Sequence, residues 1–343
     1  MIKKEELKST SFIIAEVGQN HQGDIDIAKK YIKEFAGTGV DAIKFQTRNN
    51  KYLFSECAYN KSYDSENAFS DVYGLHREKL ELNPELLVEL RDCCHENGVK
   101  FMSTPFDEPS LELLCDIRVD LIKVASFDIG NLPFLNKIAS KGLPTVVSVG
   151  GGKFDQIRDS INALKKSLDE VAILHCVSEY PCDVNRVGLD NIELLASEFP
   201  NCVIGLSDHF NGTITGPIGY MKGARVFEKH VTLNRAWKGT DHSFSLSHHG
   251  FRNFIRDIRR VSGMMKPKPE KELGVEMVFH KLGKSIVANQ DLKSGDELTI
   301  NNLSGKIFGE QFIPVRESNR VIGKILKKDI NKGDLILYDD IKD

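Results

Sequence analysis

Phe12-Ile13-Ile14-Ala15-Glu16-Val17 is an apolar run of strand length that ends near a carboxylate, and its pairing with the helical stretch after it decides the fold. After Asp24, a side chain suited to capping a helix, Ile25, Ala28, Tyr31, Ile32 and Phe35 recur at helical spacing until Gly37 and Gly39 break the pattern. The unit then repeats. Seven further runs, Ala42–Gln46, Lys100–Thr104, Leu121–Val124, Thr145–Ser148, Val171–His175, Val203–Ser207 and Arg225–His230, are short and rich in branched apolar residues. Such nearly unbroken apolar runs suit parallel strands buried on both faces. Amphipathic stretches separate many of them: Leu86–Cys94, Phe134–Ala139, Ile157–Leu168 and Ile192–Phe199, with Phe251–Met264 after the last. Eight such units in about 260 residues match the period of an α/β (β/α)8 TIM barrel, with a doubly wound open sheet as the alternative.

The strand ends differ chemically from the strands. They carry Glu16, Lys44 with Gln46, Thr104, Lys123 with Ser126, Ser148, His175, Ser207 with His209, and Glu228 with His230. In a barrel all of these meet at the C-terminal mouth, where catalysis on this architecture takes place. An active site is expected there.

Lys266–Glu272, charged and proline-containing, interrupts the pattern, and short turns and strands come after it. Leu282-Gly283-Lys284 with Asp291-Leu292-Lys293-Ser294-Gly295-Asp296 is echoed by Ile322-Gly323-Lys324 with Asp329-Ile330-Asn331-Lys332-Gly333-Asp334. The expected organisation is a barrel over 1–264, a linker over 265–279 and a small pseudo-symmetric β-rich domain over 280–343. A net charge of −3 gives no footprint for nucleic acid or an anionic membrane. No apolar run approaches a membrane span, and the polar start MIKKEELKSTS does not resemble a secretion signal. Seven scattered cysteines without Cys-x-x-Cys spacing suggest reduced thiols and a cytoplasmic enzyme.

Ser207-Asp208-His209 and Glu228-Lys229-His230 end consecutive strands, so two imidazoles could share one divalent ion; Mn²⁺, Zn²⁺ or Fe²⁺ suits them. The bland alternative is a pair of hydrogen-bonded histidines. Lys44 and Lys123 sit inside strands, where an unpaired ammonium is costly, so each needs Glu16, Asp128 or a bound anion. With Ser126, Ser148 and Ser207 they could cradle a phosphate, and Gly150-Gly151-Gly152 ahead of a helix is a second anion-friendly device. The loop Arg235–His242 holds the only tryptophan, Trp237, expected to anchor it, and Asp241, a candidate for sugar hydroxyls.

Ile14-Ala15-Glu16-Val17-Gly18-Gln19-Asn20-His21, Lys44-Phe45-Gln46-Thr47, Ser103-Thr104-Pro105-Phe106, Gly205-Leu206-Ser207-Asp208-His209 and Glu228-Lys229-His230 occur in this order. Together they resemble the sialic acid synthase family, a barrel followed by a small antifreeze-like (SAF) domain. The resemblance implies that His209 and His230 hold a divalent metal, Mn²⁺ first, with Mg²⁺ or Co²⁺ as alternatives. It assigns Lys44, Thr104, Lys123, Ser126, Ser148 and Ser207 to phosphoenolpyruvate and Glu16 to the reacting carbons. Gln46, Asp128, Ser178, Tyr180 and Asp241 would face the sugar. It also implies a domain-swapped homodimer in which one subunit's small domain covers the other's barrel mouth.

The chain departs from the family in places. The family's Lys-x-x-Ser-x-Glu reads Lys123-Val124-Ala125-Ser126-Phe127-Asp128, one methylene shorter, and Ser-Thr-Gly-Met reads Ser148-Val149-Gly150-Gly151. Ser178 replaces an asparagine, and Ile307 stands where bacterial enzymes place an arginine toward the sugar. The implied activity is condensation of phosphoenolpyruvate with an open-chain aldose, N-acetylmannosamine or its 6-phosphate, with release of phosphate. Legionaminate-type or KDN-type acceptors stay open, as do a metal-dependent aldolase or hydrolase and a non-catalytic carbohydrate-binding protein.

Overall fold

The computed structural model describes residues 3, 5–7 and 10–342. The chain forms two compact units, Met1–Met265 and Lys266–Asp343. In the first, eight parallel strands close into a barrel in sequence order: β1 (Phe12–Gly18), β2 (Ala42–Thr47), β3 (Lys100–Pro105), β4 (Leu121–Val124), β5 (Thr145–Ser148), β6 (Val171–Cys176), β7 (Val203–Asp208) and β8 (Val226–His230). Each expected strand is present to within a residue at either end. The open sheet is excluded because β1 pairs with β8 from Phe12 opposite Val226 to Glu16 opposite His230.

Period-two alternation divides each strand between the interior and the surrounding helices. Ile14, Ala42, Met102, Leu121, Val146, Leu174, Val203 and Val226 pack together inside the barrel. Two residues further along these strands come Glu16, Lys44, Thr104, Lys123, Ser148, Cys176 and Glu228, while Gly205 and then Ser207 come after Val203. The apolar plug therefore gives way to a polar layer at the C-terminal mouth. Gly205 belongs to the plug because a Cβ there would meet Val226 O at 2.2 Å and Leu174 Cδ2 at 2.4 Å.

The outward residues pack under helices whose caps are legible locally. Asp24 Oδ1 accepts from Asp26 N at 2.8 Å and Ile27 N at 3.0 Å to start Ile25–Ala36. Asn83 and Asp107 cap Pro84–Glu96 and Glu108–Asp116 in the same way. Glu108–Asp116 and Thr215–Met221 were absent from the expected helices. The second reads as a turn because of Gly216 and Pro217, yet Gly216 lets the helix approach Phe254, which a Cβ would meet at 2.4 Å. Between β2 and β3 the chain makes an excursion with short helices Asn50–Leu53, Glu56–Tyr59 and Tyr73–Glu78, packed around Phe54, Tyr63, Tyr73 and His76.

In the second unit β9 (Ser285–Ala288) pairs antiparallel with β10 (Leu303–Lys306) over a core of Ile286, Leu292, Leu298, Leu326, Ile330 and Ile336. A 3-10 turn, Glu270–Glu272, and a helix, Met277–Leu282, precede β9. The sequence repeat folds on itself, with Leu292 bridging Ile330. Ser294 N donates to Asp329 Oδ1 at 2.9 Å and Lys332 N to Asp291 Oδ1 at 2.8 Å, each half capping the other. Gly295 and Gly333 take φ of 97° and 89°, which other residues adopt only with strain. Among the described residues no helix is long and apolar enough to cross a membrane, and all seven cysteines are free.

Candidate active site

A cavity of about 470 Å³ opens at the C-terminal mouth of the barrel. Its lining includes Glu16, Lys44, Gln46, Thr104, Lys123, Ser126, Ser148, Tyr180, Ser207, His209, His230 and Asp241. Twelve of the fourteen expected site residues thus converge. Asp128 and Ser178 do not reach the cavity wall. Asp128 lies in a 3-10 turn and accepts from Asn131 Nδ2 at 2.9 Å, its shorter side chain held within the turn. Ser178 Oγ lies 2.9 Å from Ser126 Oγ and supports that hydroxyl from behind.

Other strand-end expectations need correction. His175 faces outward by parity, and its Nε2 is 2.7 Å from Val187 O. The triple glycine does not line the cavity either. Gly150 is required for packing, since a Cβ would meet Ser178 Oγ at 2.6 Å and Cys176 O at 3.0 Å. Trp237, expected to anchor its loop, meets His242 edge to face with ring centroids 6.0 Å apart.

Glu228, which sequence reasoning left without a role, is the hub. Lys44 Nζ lies 3.6 Å from Glu228 Oε1 and 2.7 Å from Glu16 Oε2, and Lys123 Nζ lies 4.0 Å from Glu228 Oε2. Ser207 Oγ donates to Glu228 Oε1 at 3.1 Å, and Lys44 Nζ to Thr104 Oγ1 at 3.3 Å. So Lys123 pairs with Glu228, and Asp128 feels its charge from further off. Strand parity was the available signal: Glu228 is two residues before His230 and two after the interior Val226. Ser148 Oγ, buried in the same layer, has no hydrogen-bond partner among the described residues.

Burial penalises charge here, and the neighbours decide which groups keep it. For Glu228 burial pushes upward, but the charges of Lys123 and Lys44 outweigh it and hold the carboxyl below its ordinary range. Glu16 is also buried, and Lys44 offsets this only in part while Glu228 adds repulsion, so it rises to about 7. Gln46 Nε2 donates to Glu16 Oε1 at 2.8 Å. Two carboxyls on one pair of lysines are thereby split into one charged group and one poised to exchange a proton near neutrality.

The histidine pair can be tested for metal binding on its own geometry. The rings of His209 and His230 are 5.5 Å apart, centroid to centroid. His209 Nδ1 lies 2.7 Å from Val177 O, a contact that fixes Nδ1 as donor and leaves Nε2 unprotonated. Among the described residues His230 Nδ1 is buried with no hydrogen-bond partner, and Asp241 Oδ2 is 3.7 Å away. Burial lowers both imidazoles, His209 to about 4 with help from His230, so both are neutral donors. The donor set fits a divalent ion with two protein nitrogens and further positions for oxygen ligands. Tyr180 packs against His209 with ring centroids 4.1 Å apart.

Comparison with known proteins matches residues 31–269 to the NeuB family and residues 283–342 to the SAF domain. The chain is 34% identical over 327 residues to the human N-acetylneuraminate-9-phosphate synthase, covering 95% of this chain and 91% of that one. It is 33% identical over 352 residues to N,N'-diacetyllegionaminic acid synthase of Legionella pneumophila, covering 99% and 97%. Among solved structures it resembles an N-acetylneuraminic acid (sialic acid) synthetase from Leptospira borgpetersenii serovar Hardjo-bovis in complex with citrate. There the TM-score is 0.68 at 28% identity, over 78% of this chain and 91% of that one.

Proposed function

The chain belongs to the NeuB family, and on that premise we propose that it condenses phosphoenolpyruvate with an open-chain hexosamine-type aldose to give a nonulosonic acid and inorganic phosphate. One observation carries this reading. Lys44 and Lys123, both buried, share the polar layer with the hydroxyls of Thr104, Ser126, Ser148 and Ser207. Phosphoenolpyruvate bears a carboxylate and a phosphate on one carbon, so it needs two cations and several donors at short range. The layer offers both.

The reaction joins the methylene carbon of phosphoenolpyruvate to the aldehyde carbon of the sugar. Water then adds to the former enol carbon, the carbon–oxygen bond to the phosphate breaks, and the phosphate leaves with the electron pair. One phosphoenolpyruvate, one aldose and one water are consumed. Glu16, with its carboxyl raised to about 7, takes the proton released as water adds. Lys44 and Lys123 hold the anion and offset its charge while the hydroxyls orient it. Tyr180, Gln46 and Asp241 remain for the sugar. His209 and His230 would hold a divalent ion, Mn²⁺ or alternatively Mg²⁺ or Co²⁺, which when bound supplies Lewis acidity toward the aldehyde oxygen.

The test is phosphate release from phosphoenolpyruvate by the full chain against a panel of aldoses, with and without chelator. Aldose-dependent release that stops with chelator is expected. Sugar turnover without phosphoenolpyruvate would overturn the reading in favour of an aldolase or hydrolase. The same reading makes the protein a cytoplasmic homodimer of 38.5 kDa subunits, and a monomer in sedimentation at assay concentration would remove that part.

A further inference from the structure

The cavity has a second cationic sector that the condensation chemistry does not use. It is built by the excursion between β2 and β3 and by the loop after β8, and its cations are Arg48, Arg77 and Lys238. Gly239 N donates to Asn67 Oδ1 at 3.0 Å and joins these two loops, and Gln22 Nε2, from the loop after β1, donates to Lys238 O at 2.7 Å.

The three cations are unequally occupied. Arg48 lies over the Phe106 ring at 3.7 Å and donates to Gln46 Oε1 at 2.6 Å and to Glu81 Oε1 at 3.4 Å. Its fork is largely committed. Arg77 is not: its Nε is buried with no hydrogen-bond partner among the described residues, and its guanidinium carbon is 5.9 Å from the Tyr73 ring centroid. Among the described residues it forms no ion pair. Lys238 Nζ stands 5.1 Å from the Phe69 ring centroid, and no described carboxylate pairs with it.

The three also feel one another. Burial lowers Arg48 to about 10, and the charge of Arg77 adds to this. Burial lowers His76 to about 4, with Arg77 and Lys238 both contributing. The carboxylate that faces the two arginines, Glu81, is already taken by Arg48 and by Gln19 Nε2 at 2.7 Å. Holding a surplus of positive charge in a cavity wall costs free energy, and a bound anion would offset it.

We propose that this sector binds a phosphoryl group at the end of the acceptor sugar remote from its aldehyde, with Arg77 and Lys238 as its ligands and Arg48 behind them. The proposal rests on the condensation reading, because that reading places the aldehyde at the histidine pair and phosphoenolpyruvate on Lys44 and Lys123. A second cationic sector in the same cavity is then left for the far end of the aldose. A guanidinium fork and an ammonium suit a phosphate dianion, whereas a neutral hydroxymethyl end would leave both unpaired.

The test compares N-acetylmannosamine with N-acetylmannosamine 6-phosphate on the full chain, by equilibrium binding and by phosphate release from phosphoenolpyruvate. Loss of a charge-assisted contact predicts that the phosphorylated sugar binds about 30-fold or more tightly than the neutral one, and that Arg77→Ala raises its KM by a similar factor and collapses the preference. Arg77→Lys should restore part of it, which a misfolded variant would not. Equal binding of the two sugars, or an equal loss for both in Arg77→Ala, overturns the proposal. If neither sugar supports phosphate release, the condensation reading fails separately, and the binding comparison still decides the site.

Discussion

Lys229 Nζ lies 2.6 Å from Asp208 Oδ2 on the outer wall of the barrel, and each residue immediately precedes one of the two cavity histidines. Parity makes this arrangement useful. The ion pair faces the helices, where Thr215 Oγ1 at 2.5 Å and Phe210 N at 3.0 Å also donate to Asp208, while His209 and His230 face inward. The ends of β7 and β8 are tied together from behind the histidines. Removing one partner of a buried pair strands the other charge, typically at a cost of about 3–5 kcal/mol. Lys229→Met should therefore lower Tm by roughly 6–20 °C at about 2–4 °C per kcal/mol. A Tm within a degree of the wild type would show that the pair does not brace the site.

Glu16 is asked to move a proton, so replacing its carboxyl should cut turnover more than binding. Glu16→Gln is expected to lower kcat by about 100-fold or more in a phosphate-release assay, with a smaller change in KM for phosphoenolpyruvate. A variant in which KM alone rises would reassign Glu16 to pairing with Lys44.

Much of this was legible because the barrel repeats a local rule. Phe12–Val17 ends in Glu16, Ala42–Gln46 passes through Lys44, and counting by two from Ile14, Ala42 or Leu121 reaches the polar layer without knowledge of any contact. The features that escaped depend on non-local packing. Glu228 was visible by parity, but its hub role comes from two lysines on other strands. Asp128 and Ser178 fell short of the wall because a 3-10 turn and a neighbouring hydroxyl, rather than strand parity, set their directions. Arg77 lies on a six-residue helix inside a long connection whose fold is held by aromatic contacts, so no periodicity pointed to it.

Two buried histidines should make stability depend on acid. His21 Nδ1 accepts from Gly23 N and His76 Nδ1 from Phe69 N, both at 3.1 Å, so both rings are neutral in the fold. Burial holds each near 4; the Gly18 carbonyl and Asp24 oppose it at His21, and Arg77 and Lys238 reinforce it at His76. The unfolded chain protonates these rings near 6.5 and so binds more protons between pH 6.5 and 4. Stability is then full above pH 6.5 and falls as pH drops through that window, by up to about 3 kcal/mol for His21. His21→Asn should flatten the curve of unfolding free energy against pH there. Parallel curves for variant and wild type would remove His21 from the account.

The histidine pair makes a prediction independent of turnover. Hydrogen bonding to Val177 O fixes the His209 tautomer, so Nε2 is available without a conformational search, and His230 lies within 5.5 Å between ring centroids. Two neutral nitrogens held this way should bind Mn²⁺ before any substrate is present. In a titration followed by electron paramagnetic resonance, wild-type protein without phosphoenolpyruvate should take up one ion per chain. His209→Ala should weaken that binding by at least about 100-fold, beyond what loss of an outer hydrogen bond alone would cause. The Tyr180 ring that packs on His209 loses its neighbour in that variant, so circular dichroism is needed to show that the fold persists. Unchanged Mn²⁺ affinity in a folded His209→Ala protein would return the pair to a structural role, and the aldehyde would then need a different source of polarisation.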